Sequence, residues 1–284
     1  MSNSGVVGLS NLGNTCYMNA SLQCLRCVVK LNTFIAESTE SGKLQTNSAL
    51  VEKYFNFVKR IWTANKPTIS PMDLKMTLNE SKFRGFGQHD AQEFTNYLLD
   101  TLHENLKRKE DKKSIISDTF FGKYKSTVIC ANCNHHSDTY EDFMFLTLPV
   151  TKDFRESLKQ FIGAETLDSQ NQYKCDKCHE KTLASKQMII HELSDILIVH
   201  LKRFNAFRKI DDYMEIPFDF TDDYKNKYVL FGVVNHYGNF FGGHYTANIK
   251  LNNIWYDMND SSYHEIDSSK VATSAAYILY YQKV

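Results

Sequence analysis

The chain has no apolar run approaching the roughly 20 residues that a bilayer crossing needs, and its 33 Lys and Arg are balanced by 33 Asp and Glu. The first absence excludes a helical membrane span. The second excludes a chain-wide field that would steer the protein to nucleic acid or to an anionic membrane. Partners must therefore be recognised locally. The opening MSNSGVVGLSN lacks the charged flank and apolar core of a secretory signal, so the expected location is the cytoplasm, the nucleus or both. There is no internal repeat, low-complexity segment or long flexible linker, and only four prolines, two of them in the loop-like stretch NKPTISPMD (65–73).

What is present suits a folded globular unit: 284 residues, 42% of them hydrophobic and 13% aromatic, can bury one large core or two smaller ones. The first part reads as helical. Leu22, Leu25, Val28 and Val29 recur at helical spacing over 16–29, Ala91, Phe94, Leu98, Leu102 and Leu106 do so over 90–106, and ALVEKYFNFVKRIW (49–62) is a third helix. KRKEDKK (107–113) reads as a solvated connection. Beyond residue 118 the pattern changes to short runs rich in Tyr, Phe, Ile and Val: YKSTVIC, FMFLTLPV, KQMIIHEL, DILIVHLKRF, YVLFGVVNHYG, HYTANIKL, NIWYDM and AAYILYY. These read as strands. The prediction is a single α+β unit with a cleft where helices and sheet meet.

Seven cysteines is an odd number, and six of them fall in Cys-x-x-Cys pairs. In a reducing compartment that spacing points to metal or catalysis rather than disulfides. CANC (Cys130, Cys133) and CDKC (Cys175, Cys178) have knuckle spacing, in which two thiolates of one tight turn reach one ion. Two knuckles complete a tetrahedral four-cysteine zinc site with no open position, so the Zn2+ is expected to be structural and to join two hairpins side by side. The plainer reading is free cysteines in unrelated turns. A redox pair fits less well, because the pattern occurs twice outside a βαβ context. CLRC (Cys24, Cys27) lies on the first helix and reads as core packing.

Cys16 stands apart from those six. It sits where the loop NLGNT meets a helix, so unpaired backbone N–H groups and the positive helix end are predicted to lower its pKa. The same loop offers an oxyanion the Cys16 N–H and the Asn11 amide. A nucleophile needs a base. NFFGGHYTANIKLNNIWYDMND (239–260) alternates as two strands about an Asn252-Asn253 turn. Pairing Leu251 with Ile254 puts His244 and Asn259 on one face as diagonal neighbours and turns Asp260 to the other. An Asn259 carbonyl accepting from Nδ1–H would then aim Nε2 at the thiol, the Cys-His-Asn form of the triad. A β-bulge would promote Asp260 instead.

These residues carry a resemblance to the catalytic domain of the ubiquitin-specific proteases, the papain-like deubiquitinases. GLSNLGNTCYMNASLQCL (8–25) is similar to the family's Cys box, GQHDAQEF (87–94) to its second box, DILIVHLKRF (195–204) to a palm strand, and YVLFGVVNHYGNFFGGHYTANIK with WYDMNDSS to its His box. The resemblance runs from about Gly5 to Gln282. It implies a hand-like domain: a helical thumb over about 5–115, fingers around the zinc site over about 118–190, and a palm mainly over 191–284. It implies Cys16 as nucleophile, His244 as general base and acid, Asn259 as third triad member, Asn11 as an oxyanion donor and Asp260 as an assisting residue. The family uses either Asp or Asn where this chain has Asn259.

The implied substrate is ubiquitin on proteins, cleaved after its terminal glycine through a thioester by a protein acting as a monomer. A tail without side chains fits a narrow slot, for which Gly242, Gly243 and the aromatics Tyr237, Phe240, Phe241 and Tyr245 are suited. A basic tail wants carboxylates, and Asp90 and Glu93 are the candidates, although Asp90-Ala-Gln-Glu93 is also a helix-capping pattern. Tyr140-Glu141-Asp142 reads as an exposed strand end that could touch substrate. Three alternatives compete: an inactive ubiquitin-binding scaffold, a protease for a ubiquitin-like modifier, and a zinc-ribbon nucleic-acid module. The last is disfavoured because Asp138, Glu141, Asp142, Asp176 and Glu180 interleave with Lys123, Lys125, Lys174, Lys177 and Lys181.

Overall fold

The helical and strand-rich parts meet along a cleft in the computed structural model, which describes residues 5–41, 46–78, 81–168, 171–205, 208–239 and 242–284. Helices α1 (Cys16–Leu25), α2 (Val29–Glu40), α3 (Ala49–Thr63), α4 (Met72–Met76) and α5 (Ala91–Leu106) make up the first part. They are joined by the short parallel strands β1 (Gly8–Leu9) and β2 (Thr68–Ile69). The continuous helix expected over 16–29 is instead two: α1 stops at Leu25, a turn follows, and Val29 opens α2 on the surface at 61% exposure. Every residue of α1 is buried, including Asn19, Ser21 and Gln23. Their donors are satisfied across the fold: Gln23 Nε2 donates to the Val7 carbonyl at 2.9 Å, Ser21 Oγ to the Ala91 carbonyl at 3.2 Å and Asn19 Nδ2 to the Leu9 carbonyl at 3.3 Å. That makes α1 the central helix rather than an amphipathic surface one.

α3 and α5 follow the ordinary logic. Each buries one apolar face, Tyr54, Phe55, Val58 and Ile61 in α3, and Phe94, Leu98, Leu99 and Leu102 in α5. Ser48 caps α3, and Asp90 caps α5 by accepting from the Gln92 and Glu93 N–H groups at 2.7 and 3.0 Å. Such a cap stabilises a helix by about 1 kcal/mol.

Strands β3 (Gly122–Cys130), β4 (His136–Phe143), β6 (Ala164–Leu167) and β9 (Ala184–Glu192) form one antiparallel sheet in the order β4-β3-β9-β6. The hairpin of β7 (Tyr173–Lys174) and β8 (Lys181–Thr182) lies near its tip. The second sheet contains β5 (Phe145–Pro149), β10 (Ile196–Lys202), β11 (Asp219–Thr221), β12 (Lys227–Asn239), β13 (Gly242–Leu251), β14 (Ile254–Asn259), β15 (Ser262–Ile266) and β16 (Ala276–Lys283). Its path is β15-β14-β13-β12-β16-β10-β5, with β11 on β12. FMFLTLPV, read as one strand, is the junction of β4 and β5, so residues 118–190 do not map onto one sheet. β4 is polar along its exposed length, and Tyr140-Glu141-Asp142 falls in its exposed last half, just before the buried Phe143. Short helices α6 (Ser117–Phe120) and α7 (Phe154–Phe161) and a 3-10 turn over Ser268–Lys270 are also present, and among the described residues no helix is long and apolar enough to cross a membrane.

Candidate active site and metal centre

The loop before α1 is knotted by its own side chains. Asn11 Oδ1 accepts from the Gly13 and Thr15 N–H groups at 3.0 and 3.1 Å, and Thr15 Oγ1 accepts from Leu12 N–H at 2.8 Å. Gly13 (φ 95°) and Asn14 (φ 52°) occupy the left-handed region that this turn requires. Cys16 follows as the first residue of α1, only 5% exposed. Burial pushes its thiol up, backbone hydrogen bonds from Tyr245 and Tyr17 pull it down, and the Asp260 charge adds to the rise. The net direction opposes the lowered pKa expected from the helix end, because desolvation disfavours the thiolate more than the dipole favours it.

The predicted hairpin forms. Leu251 pairs with Ile254 and the ladder runs without a bulge to Ala247 and Met258, closed by Asn252 (φ 50°) and Asn253 (φ 66°). β14 then turns at Asp260 (φ 50°) into β15. His244 and Asn259 meet, but through the other ring nitrogen: His244 Nε2 lies 2.8 Å from Asn259 Oδ1. A carbonyl oxygen only accepts, so Nε2 is the ring nitrogen that donates to Asn259. Among the described residues, no hydrogen bond joins His244 to the Cys16 thiol.

Asp260 faces the Cys16 loop. Its carboxylate accepts from Asn11 Nδ2 and Asn19 Nδ2, both at 2.8 Å, and its carbonyl accepts from Leu9 N–H at 2.7 Å. The Asn11 amide expected at an oxyanion is thus spent on Asp260 here. At the same turn, a Cβ on Gly8 would come within 2.4 Å of the Ser261 carbonyl oxygen, so the first strand packs directly on the residues after Asn259.

A cavity of about 600 Å³ opens beside Cys16, walled by Asp90, Glu93, Gly242, Gly243 and Tyr245 among others. The two glycines have an internal reason to lack side chains: a Cβ on Gly243 would meet the Tyr237 carbonyl at 2.2 Å and His236 Nε2 at 2.4 Å, and one on Gly242 would meet Gln88 Oε1 at 2.7 Å. Glu93 pairs with Lys82 at 3.0 Å. Tyr237 lies opposite His244 in the β12–β13 ladder, whereas Phe240 and Phe241 lie outside the described residues. Sequence reasoning passed over Gln88 and His236, which also line the cavity. His236 is buried, and desolvation, with Lys209 nearby, pushes it down to about 4. Its pairing with Tyr245 across β12 and β13 was the available signal.

The four remaining knuckle thiols converge at the tip of the smaller sheet. Cys130, Cys133, Cys175 and Cys178 place their sulfurs within 4.8 Å of one another, with Cys130 to Cys178 at 3.9 Å and Cys133 to Cys175 at 3.6 Å. A tetrahedron with ordinary zinc–sulfur bonds has edges of about 3.8 Å, so the donor set fits zinc. The two turns share one construction: Asn134 (φ 50°) donates to the Cys130 carbonyl at 3.0 Å and His179 (φ 60°) to the Cys175 carbonyl at 2.9 Å. Each turn caps a hairpin, β3–β4 and β7–β8, as the spacing predicted. Cys24 and Cys27 are buried with burial-raised thiols, consistent with core packing.

A model of the ubiquitin carboxyl-terminal hydrolase family matches residues 7–281. The chain belongs to this family. Ubiquitin carboxyl-terminal hydrolase 2 of Bos taurus is 31% identical over 98% of this chain and 55% of its own length. Hydrolase 4 of Saccharomyces cerevisiae is 30% identical over 98% of this chain and 39% of its own length. The chain thus spans about half the length, or less, of these curated relatives. Among solved structures, a SAGA DUB module of Ubp8, Sgf11, Sus1 and Sgf73 bound to monoubiquitin superposes with a TM-score of 0.89 at 26% identity, over 99% of this chain and 70% of that one. The Ubp8/Sgf11/Sus1/Sgf73 module bound to ubiquitin aldehyde gives a TM-score of 0.87, also at 26% identity, over 99% of this chain and 70% of that one. The α+β fold is that of the ubiquitin-specific proteases.

Proposed function

We propose that the chain is a cysteine-type deubiquitinase that hydrolyses the bond after the C-terminal glycine of ubiquitin, using Cys16, His244 and Asn259. The observation that carries this reading is the His244–Asn259 pair at 2.8 Å, with Gly243 and Tyr245, the residues on either side of His244, lining the same cavity as Cys16. Ubiquitin as substrate draws support from the family match and from the ubiquitin and ubiquitin aldehyde held by the Ubp8 modules. The helices to about residue 115 act as thumb, the β4-β3-β9-β6 sheet as fingers, and the larger sheet, with β5, as palm.

In the reaction, His244 Nδ1 takes the Cys16 proton as sulfur attacks the scissile carbonyl, with Asn259 holding the ring by its Nε2–H. The oxyanion of the tetrahedral intermediate accepts from the Cys16 N–H and from Asn11, once the Asn11 amide leaves Asp260. Collapse breaks the C–N bond and His244 returns the proton to the leaving lysine amine, giving a thioester. Water, deprotonated by His244, then releases ubiquitin and regenerates the thiol. Asp260 orders the Cys16 loop through Asn19 throughout, and through Asn11 until its amide turns to the oxyanion, and Glu93 offers the carboxylate for a basic tail. Cys130, Cys133, Cys175 and Cys178 would hold a zinc ion, which would fix the fingers and supply no step of bond breaking.

Cys16, His244 and Asn259 belong to one chain, and action as a monomer is part of the proposal. Lys123 and Lys125 are paired to Asp142 and Asp138 at 2.9 and 2.8 Å, so these two cations of the fingers are not bare ones for nucleic acid. An electrophilic probe of ubiquitin's C-terminus should form an adduct on Cys16, located by mass spectrometry, and Cys16→Ala should bind ubiquitin without forming one. Binding by the unaltered chain without an adduct would assign it as a scaffold. An adduct only with the probe of a ubiquitin-like protein would change the substrate.

A further inference from the structure

His244 is gripped from both sides by the approach to α5. The residue before it, Gly243, directs its N–H to Gln88 Oε1 at 3.3 Å and accepts at its carbonyl from Gln88 Nε2 at 3.4 Å. The residue after it, Tyr245, donates its hydroxyl to Asp90 Oδ2 at 3.2 Å, and Tyr277 of β16 donates to the same oxygen at 2.7 Å. The other Asp90 oxygen caps α5 with the two N–H bonds already described. A carboxylate has about four acceptor positions, and internal donors fill them.

The need for such a grip follows from the strand pairing. β13 pairs with β12 from Gly242 to Ile249, but its ladder with β14 ends at Ala247, so Gly242 to Thr246 have a strand on one side only. A strand end paired once opens more easily than one paired twice. The Gln88 amide gives Gly243 the donor and acceptor that a second strand would supply. Asp90 adds an anchor one residue beyond the base and ties it to the sheet interior through Tyr277.

We propose that Gln88 and Asp90 are positioning residues that bracket His244 and hold it in register with Cys16, and that Asp90 serves the reaction through Tyr245 rather than by binding a basic substrate tail. The inference rests on the cysteine-protease reading above.

The test compares the unaltered chain with Gln88→Ala, Asp90→Asn, Tyr277→Phe and the last two combined. Two readouts are used: kcat and KM on a ubiquitin C-terminal fluorogenic amide, and the pH profile of Cys16 alkylation by iodoacetamide, which needs no ubiquitin. Asparagine keeps the helix cap but puts an NH2 where two hydroxyls now share an acceptor. Asp90→Asn should lower kcat roughly tenfold with KM changed less than about threefold, as expected for lost alignment rather than lost binding. The double variant should be no worse than Asp90→Asn alone, and the alkylation profile should move toward that of His244→Ala. A raised KM with unchanged kcat, additive losses in the double variant, or an unmoved alkylation profile would each overturn the proposal. Coincident profiles for the unaltered chain and His244→Ala would instead sink the Cys16–His244 reading itself, and the inference with it. If Asp90→Asn does not fold, Gln88→Ala, which removes neither cap nor carboxylate, carries the same comparison.

Discussion

The zinc-compatible tip and the cleft are both built around thiols, yet they are assembled in opposite ways. At the tip each half is local: two cysteines three apart, closed by a left-handed residue directly after the second. Only the meeting of two such halves is tertiary. At the cleft nothing is local. Cys16 comes from α1, its loop is tied to Asp260, the proposed base stands on β13 and its partner on β14, and the bracket comes from the approach to α5. The lesson is that coordination chemistry can be carried by short turns, whereas the proton transfer proposed between Cys16 and His244 depends on the relative placement of segments more than 200 residues apart.

Removing the metal tests the separation of the two regions most severely. Chelation, or Cys175→Ser, should cost several kcal/mol locally, since structural zinc binding is folding free energy. Hydrogen exchange should rise across 122–192 while α1 stays protected, and cleavage of a small C-terminal amide should survive better than cleavage of folded ubiquitin conjugates. Equal loss of protection in α1 would show that the regions are one cooperative unit. Next in size, Asn259→Ala leaves the ring without its Nε2 acceptor and should lower kcat by about ten- to a hundredfold with KM little changed. Steady-state kinetics decide it, and an unaltered kcat would transfer the orienting role to Asp260.

Gly243→Ala sharpens the claim that the cleft glycines answer to internal packing. A Cβ within 2.4 Å of both the Tyr237 carbonyl and His236 has nowhere to go, and overpacking of this kind costs about 1–3 kcal/mol. Denaturant midpoints should fall even in the absence of substrate; an undisturbed midpoint with raised KM would restore a purely substrate-facing role. The smallest effect concerns pH. Burial pushes His200 and His236 down to about 4, so the folded state holds fewer protons than the unfolded one between that value and 6.5. Their contribution to stability is present above pH 6.5 and is lost as pH falls toward 4, by about 1 kcal/mol or more per group. His200→Phe should flatten this acid loss in melting experiments, while zinc-tip variants should leave its slope unchanged.

The sequence made the hairpin legible in detail, because an Asn-Asn turn between alternating strands sets the register, and the register brought His244 to Asn259. It also made the four cysteines legible, because the spacing is the chemistry. Other features escaped it for identifiable reasons. The break at Leu25 leaves no mark in the helical periodicity, and the burial of α1 on all sides depends on what β1, α5 and β13 supply around it. β4 is polar and exposed, so no apolar alternation announced it. α7 (Phe154–Phe161) follows a recognisable Asp153 cap but is too short to stand out by periodicity.

Composition and motif order by themselves determined the family, the α+β class, the zinc-compatible quartet and the residues proposed as nucleophile and base, since each rests on residue type and short-range spacing. Tertiary structure alone decided three things. It chose Nε2 rather than Nδ1 for Asn259, because ring orientation follows from where β14 turns. It raised the Cys16 thiol instead of lowering it, because desolvation depends on what covers the helix end. And it spent the Asp90 carboxylate on two tyrosines and a cap, because hydrogen-bond capacity is consumed by whichever donors the fold brings within reach.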